Sequence, residues 1–203
     1  MTSRSFVIGA ELWCVLLAAG GSSRLGYPKQ LLRDPVRPLL LRAVDAALTV
    51  APDRVVVVVG ANSLRMRSIL VRNFGDLPVV FNGAWEQGIS TSLRAGIGVL
   101  PHPARGALIM LTDQVRIDTS DLARLASEWR RQPSVAVAAR YKGEIGVPAI
   151  LPRRLWPRLR ELEGDRGAKA LLEDGRTKLV DMPSAAVDID TAEDRRRFEN
   201  RSV

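Results

Sequence analysis

The chain has 203 residues, of which 46% are hydrophobic and 26% are charged, and this is typical of one folded domain, 1–203, with a substantial core. The 30 lysines and arginines exceed the 22 aspartates and glutamates, and the net charge of +8 favours an anionic partner. The densest basic run is only 195–197 and aromatic residues make up 5%, so we expect no nucleic-acid partner.

Cys14 is the only cysteine and His102 is the only histidine, and this limits the disulfides and metal sites that the chain can form. One cysteine excludes an intrachain disulfide and a cysteine-rich metal site, and it indicates a reducing compartment. One histidine excludes a multi-histidine metal site, so a bound metal must be held by oxygen atoms. Because no apolar run is long enough to cross a bilayer, we expect a cytoplasmic protein without a membrane partner.

Apolar strands alternate with amphipathic helical stretches along most of the chain, a pattern typical of α/β proteins with a mostly parallel sheet. Strands or extended segments are predicted at 14–18, 54–59, 77–81, 106–112, 134–139, 147–151, 177–182 and 186–190. Helices are predicted at 39–50, 62–74, 118–131, 153–162 and 168–173, with a last helix from Thr191. Another helix follows Gly88, and Ser90 or Thr91 is expected to cap it.

The segment 15–32, VLLAAGGSSRLGYPKQLL, carries the clearest functional signal. An apolar strand there runs into a loop with three glycines, Gly20, Gly21 and Gly26, and two cations, Arg24 and Lys29. Glycines let backbone N–H groups approach anionic oxygens, and the cations add mobile positive charge. The spacing fits neither a Walker loop nor G-x-G-x-x-G. The loop therefore predicts a phosphate site of a third kind, with solvated loop charges as the alternative.

Three aspartates are candidate metal ligands. Asp113 follows an apolar strand, and open α/β sheets place their ligand sites at the carboxyl ends of strands. Asp188 and Asp190 are two residues apart in a predicted extended segment, so both side chains point to one face. Mg²⁺ prefers one or two such carboxylates together with phosphate oxygens and water. Helix capping is the alternative for Asp190, because Glu193 follows three residues later, and either Asp188 or Asp190 can be the second ligand.

Two other segments allow both a structural and a functional interpretation. Trp85, between Asn82 and Gly88, is either an anchor in the core or part of a binding loop. The segment 164–172, GDRGAKALL, has the pattern of a turn that opens a helix capped by Asp165.

Five motifs, in order, resemble the nucleotidyltransferases of the molybdenum-cofactor type, in particular the molybdopterin cytidylyltransferase branch, which is related to molybdopterin-guanine dinucleotide synthases. The matching residues are Leu17, Ala18, Ala19, Gly20, Ser22, Arg24, Gly26 and Lys29; Asn82, Trp85, Gly88 and 92–96; Asp113 and Gln114 with Gly143, Gly146 and Pro148; Gly164, Asp165, Gly167 and Ala168; and 188–191. The resemblance covers nearly the whole chain.

The resemblance implies a Rossmann-like, three-layer nucleotidyltransferase fold of the GT-A type with a mostly parallel twisted sheet. It implies transfer of CMP from CTP to the terminal phosphate of molybdopterin or molybdenum cofactor, with release of pyrophosphate and with Mg²⁺ as cofactor. CTP is preferred over GTP because guanylyl-transferring relatives tend to have glycine at the position of Ala19. Three alternatives stay open: another NTP or phosphorylated acceptor, a non-catalytic protein that binds or matures a molybdenum apoenzyme, and a nucleic-acid-associated protein.

Residue by residue, the resemblance assigns nucleotide binding to Leu17, Ala18, Ala19, Gly20, Gly21, Ser22, Arg24, Gly26, Lys29, Asn82, Gly88 and Ser92. It assigns catalytic roles to Arg24, Lys29 and Asp113, and metal binding to Asp113 with Asp190 or Asp188. The chain departs from the family pattern at Val115, Val147 and Ala192, where the family usually has proline, histidine and proline. Val147 falls in the segment that would meet the acceptor.

Overall fold

The computed structural model describes residues 11–23, 25–34, 37–173, 175–189 and 191–199. The strands are β1 Glu11–Ala18, β2 Arg33–Asp34, β3 Arg37–Pro38, β4 Val55–Val59, β5 Val79–Phe81, β6 Ala104–Leu111, β7 Val137–Tyr141, β8 Glu144–Pro152 and β9 Lys178–Asp181. The helices are α1 Leu39–Val50, α2 Ser63–Phe74, α3 Ile89–Gly98, α4 Thr119–Arg131, α5 Trp156–Leu159, α6 Lys169–Leu172 and α7 Ala192–Glu199. Short 3-10 turns occur at Lys29–Leu31, Trp85–Gln87, Arg153–Leu155 and Pro183–Ala186.

A seven-stranded sheet in the order β5-β4-β1-β6-β8-β7-β9 is the centre of the described part of the chain. The β1 strand pairs parallel with β4 and β6, β4 pairs parallel with β5, and β7 pairs parallel with β9. The β8 strand alone among these seven runs antiparallel to both of its neighbours. This mostly parallel sheet confirms the predicted α/β class.

Helices cover both faces of the sheet, which makes the expected three layers. Strand β4 is a run of five valines that are all buried, and a continuous β-branched run is typical of a strand covered on both sides. Along β1 the side chains alternate: Leu16 packs in the cluster that contains residues of α1, α2 and α4, whereas Val15 packs in the one that contains Leu93 of α3 and residues of α5 and α6.

Helix α3 lies unusually close to the sheet, and this sets its position beside the end of β1. A Cβ atom on Gly96 would lie 2.3 Å from Cγ1 of Val15, so only glycine permits this approach. The carboxyl ends of the parallel strands β1, β4 and β6 then share one edge with the start of α3. Ligand sites of open α/β sheets lie at such an edge.

Two predicted helix caps are wrong. Helix α3 begins at Ile89 with Gly88 as its N-cap residue, so neither Ser90 nor Thr91 caps it; the Thr91 hydroxyl donates instead to the carbonyl of Gly88, 2.9 Å away. Helix α6 has no side-chain cap, and Asp165 lies outside it.

The last third of the chain is less regular than predicted. The expected helix 153–162 consists of a 3-10 turn and the four-residue α5, because the following N–H groups bond three residues back, as in Leu162 to Leu159 at 3.3 Å. The expected extended segment 186–190 starts one residue later, because Pro183 opens a 3-10 turn that ends at Ala186. Within the described ranges, no helix is long and apolar enough to cross a membrane.

Candidate functional site

Hydrogen bonds from other segments of the chain hold the backbone of the loop after β1. The amide nitrogen of Gln30 donates to the carbonyl oxygens of Ala18 at 3.2 Å and Gly20 at 2.8 Å. The N–H group of Ala61 donates at 3.0 Å to the carbonyl oxygen of Ala19, the residue between Ala18 and Gly20. The carbonyl groups of Ala18, Ala19 and Gly20 therefore all accept hydrogen bonds from other parts of the protein.

This loop forms one wall of a cavity of about 320 Å³. The cavity is lined by Leu17, Ala19, Gly20, Gly21, Lys29, Gln30, Trp85, Glu86, Gly88, Ile89, Ser92, Leu111, Thr112, Asp113 and Asp165. Eight of the predicted site residues thus share one cavity: Leu17, Ala19, Gly20, Gly21, Lys29, Gly88, Ser92 and Asp113.

Four predicted residues support the cavity from outside its lining. Ala18 anchors the loop through its carbonyl, and the Ser22 hydroxyl accepts from the N–H group of Lys29 at 3.1 Å. The N–H group of Gly26 donates to the carbonyl of Ser22 at 3.2 Å. Asn82 is buried behind the cavity. Arg24, the remaining residue predicted in this loop, lies outside the described residues.

One end of the cavity carries an ion pair between Lys29 and Asp113. Both side chains are mostly buried, with 19% and 12% of their surfaces exposed. The Lys29 ammonium contacts Oδ2 of Asp113, whereas Oδ1 is buried and has no hydrogen-bond partner within the described residues. A buried carboxylate oxygen without a partner is costly, and a bound cation would satisfy it. This end therefore suits both an anionic phosphate and a metal ion.

The start of α3 forms another part of the cavity lining. Gly88 has a φ of 105°, and a Cβ atom there would lie 2.2 Å from the carbonyl carbon of Gly164. The N–H group of Ser90 donates to the carbonyl of Gly164 at 3.1 Å, so the two segments are also hydrogen-bonded. This contact brings Asp165 into the cavity lining, a position that its sequence context, which indicated a helix cap, did not predict.

Asn82 ties the loop before α3 together. Its amide nitrogen donates to the hydroxyls of Thr91 at 2.8 Å and Ser92 at 2.9 Å, and its oxygen accepts from the N–H group of Ala84 at 3.0 Å. These bonds use the side chain within the protein, so in this arrangement Asn82 positions the cavity wall.

Trp85 combines both of the roles that the sequence allowed. It packs against the apolar cluster that contains Leu93 and also lines the cavity. The close contact depends on Gly60, where a Cβ atom would lie 2.6 Å from that of Trp85. The tryptophan is thus an anchor whose ring also forms a wall of the site.

The segment of the second predicted metal ligand runs beside the end of β6. The N–H group of Val115 donates to the carbonyl of Val187 at 3.2 Å, and the Gln114 amide donates to the carbonyl of Ala185 at 3.2 Å. These bonds hold residues 185–187 against the chain just after Asp113. Asp188 follows directly and is exposed, while Asp190 lies outside the described residues.

Tyr141 lies within electrostatic range of both Asp188 and Asp113. Burial is the main reason that the pKa of Tyr141 is raised, and the Asp188 carboxylate is the next contribution in the same direction, with a smaller one from Asp113. Both carboxylates therefore act on one phenol. No group of three metal-binding His, Cys, Asp or Glu side chains occurs within the residues that the structure describes. A metal held by Asp113 with Asp188 would need phosphate oxygens or water as its other ligands.

Comparison with known proteins places this chain in a family. Residues 14–181 match the model of the MobA-like NTP transferase domain. The chain is 31% identical over 192 residues to the nicotine blue oxidoreductase of Paenarthrobacter nicotinovorans. The match covers 88% of this chain and 92% of that protein.

Solved structures agree with this assignment. Rv0371c from Mycobacterium tuberculosis H37Rv has a TM-score of 0.77 at 29% identity, over 94% of this chain and 98% of that one. A second structure of Rv0371c, in complex with manganese, has a TM-score of 0.74 at 25% identity, over 95% and 99% of the two chains. The 4-diphosphocytidyl-2C-methyl-D-erythritol synthase of Anaerococcus prevotii DSM 20548 shares the fold, with a TM-score of 0.78 at 15% identity over 98% and 99% of the chains.

The fold is that of a nucleotidyltransferase domain. The chain belongs to the MobA-like NTP transferase family.

Proposed function

We propose that this chain transfers CMP from CTP to a phosphorylated acceptor, the terminal phosphate of molybdopterin or molybdenum cofactor, and releases pyrophosphate. The observation that carries the proposal is the Lys29–Asp113 pair in the lining of a cavity that also includes Gly88 and Ser92 at the start of α3. A nucleoside triphosphate has charged phosphates at one end and an uncharged base at the other. Its phosphates would lie at the lysine and its base near α3.

Lys29 and Asp113 would divide the charge of the triphosphate between them. The ammonium group of Lys29 would contact phosphate oxygens and stabilise the charge that develops on the leaving pyrophosphate. Asp113, with Asp188 or Asp190, would hold Mg²⁺, and the unpartnered Oδ1 of Asp113 supports this role. When bound, the metal neutralises phosphate charge and aligns the phosphates.

No general base is needed in this scheme, and the residue types present agree with that. The acceptor phosphate is already an anion, so attack on the α-phosphorus needs alignment and charge neutralisation but no deprotonation. The single histidine, His102, precedes β6 at Ala104, at the end of that strand opposite Asp113. A metal and Lys29 are thus sufficient for the chemistry of the step.

Ala19 supports a pyrimidine as the base. Its side chain is 5% exposed and lines the cavity, so it takes up space that a glycine would leave to the ligand. Guanylyl-transferring relatives tend to have glycine at this position. GTP is therefore the expected poor substrate, and UTP is the competitor that must be distinguished by hydrogen bonds rather than by size.

A second candidate comes from the similarity to nicotine blue oxidoreductase. The same cavity would then hold the phosphates of a redox dinucleotide, and the reaction would be an oxidation or reduction without pyrophosphate. Turnover of NADH or NADPH in place of nucleotidyl transfer would favour this candidate.

The test is pyrophosphate release by the purified protein with Mg²⁺, molybdopterin and each of CTP, GTP, UTP and ATP. We expect release with CTP, its loss on chelation of the metal, and a rate lower by about 10²–10³ in Lys29→Met. Lys178→Met is the matched control, because Lys178 pairs with Glu128 on the surface and does not line the cavity. A loss below about tenfold in Lys29→Met would exclude the role of Lys29.

A further inference from the structure

Gln30 is a buried polar residue in the wall of the cavity, with 1% of its surface exposed. It lies in the 3-10 turn Lys29–Leu31, and its amide nitrogen donates to the carbonyl oxygens of Ala18 and Gly20. Both neighbours are acceptors, so the nitrogen must face the loop and the amide has only one orientation. The side chain thus connects the end of β1 to the turn that follows it.

A glutamine at this buried position lowers the stability of the fold. Its oxygen, Oε1, is buried and has no hydrogen-bond partner in the described part of the chain. An unsatisfied buried acceptor destabilises a fold, and methionine would fill the same volume without it. The cost indicates that the two donated bonds serve a purpose beyond packing.

The purpose follows from the geometry of the peptide group. Three successive carbonyl groups accept from the protein: Ala18 and Gly20 from Gln30, and Ala19 from the N–H group of Ala61. In a trans peptide the N–H group points opposite to the carbonyl group. The three bonds therefore fix the directions of the N–H groups of Ala19, Gly20 and Gly21, three residues of the cavity lining.

We propose that Gln30 is a positioning residue for nucleobase discrimination: by holding the 18–20 backbone in one orientation, it presents peptide groups that distinguish one base edge from another. The inference rests on the proposed function. The Lys29–Asp113 pair takes the phosphates, which leaves the base to the part of the lining formed by Ala19, Gly88 and Ser92. Backbone groups discriminate between bases only if their directions are fixed.

The test uses Gln30→Met, which keeps the length of the side chain and removes the two donors. Binding of CTP, UTP and inorganic tripolyphosphate is measured by calorimetry with Mg²⁺, for wild type, for this variant and for Gln132→Met. Gln132 is exposed at the end of α4 and is the control for the exchange itself. We expect CTP affinity to fall about tenfold or more in Gln30→Met and the preference for CTP over UTP to approach one, with tripolyphosphate binding unchanged.

The other possible results distinguish failure of this inference from failure of the proposed function. Equal losses for CTP and tripolyphosphate would mean that Gln30 only supports the loop, and an unchanged CTP preference would mean that it does not act on the base; both overturn the inference and leave the proposed function intact. If wild type binds none of the nucleotides, the proposed function fails and this inference with it. Should Gln30→Met not fold, Gln30→Asn, whose amide is one methylene shorter, is expected to show the same selective loss, and its absence would refute the proposal.

Discussion

Replacing Gly88 by alanine is the most specific perturbation of the site that the structure offers. Its backbone, at φ 105° and ψ 171°, lies in a region that is essentially restricted to glycine, and forcing another residue there costs about 1–3 kcal/mol. The new Cβ atom would also lie 2.2 Å from the carbonyl carbon of Gly164, whereas ordinary contacts begin at 3.4 Å. Overpacking of this kind costs about 1–3 kcal/mol more. The expected total is about 2–6 kcal/mol.

Thermal unfolding of Gly88→Ala tests this figure directly. For a chain of this size, each kcal/mol lowers Tm by about 2–4 °C, so a drop of at least about 4 °C is expected. Gly98→Ala is the matched control in the same helix, because nothing lies within 4 Å of its added Cβ atom, and it should be neutral or slightly stabilising. If Gly88→Ala unfolds within about 1 °C of wild type, the contact between α3 and Gly164 is not as described.

Three further predictions concern individual side chains. Asn82→Leu should destabilise the fold by about 1–3 kcal/mol in urea unfolding, because it leaves Ala84 without its acceptor, whereas Asn73→Leu on the exposed face of α2 should have little effect. Cys14 should resist thiol reagents until the protein unfolds, because its side chain is buried and burial raises its pKa; rapid labelling of native protein would contradict this. The N–H group of Asp121 and the Ser120 hydroxyl donate hydrogen bonds to the Asp118 carboxylate and hold its pKa below the ordinary value. Its capping of α4 therefore stabilises the fold at pH above the ordinary pKa, and this stabilisation is lost as pH falls through the lowered pKa. Asp118→Ala should thus cost about 0.5–2 kcal/mol at pH 7, and the difference from wild type should shrink in acid; a constant difference would refute the assignment.

The fold was predictable because the hydrophobic pattern and most of the local helix signals of this chain indicate the same structure. The run of five valines in β4 indicates a strand in the middle of a sheet that is covered on both faces. Helix α1 begins right after Pro38, and Asp118 caps α4, so local signals and tertiary structure agree there. They disagree at Gly88, where the closeness of Gly164 selects a glycine N-cap over the available Ser90 and Thr91.

The proximity of Lys29 and Asp113 was predictable from one segment and one strand end. Lys29 and Asp113 are 84 residues apart, yet each follows the carboxyl end of a strand, β1 or β6, and these two strands are neighbours in the sheet. Asp165 and Gln30 were not identified, since their positions depend on contacts that leave no periodic signal. Asp165 reaches the cavity only because Gly164 packs on Gly88, and the amide of Gln30 is oriented only by the folded loop.

A metal-dependent nucleotide site can be tested by calorimetric titration of wild type and Asp113→Ala with CTP, GTP, UTP and ATP in the presence of Mg²⁺. We expect CTP to bind most tightly to wild type and its affinity to fall in Asp113→Ala, because the carboxylate with the unpartnered oxygen is lost. Absence of binding to all four nucleotides, or CTP binding that does not depend on Asp113, would contradict a metal-dependent nucleotide site at this edge of the sheet.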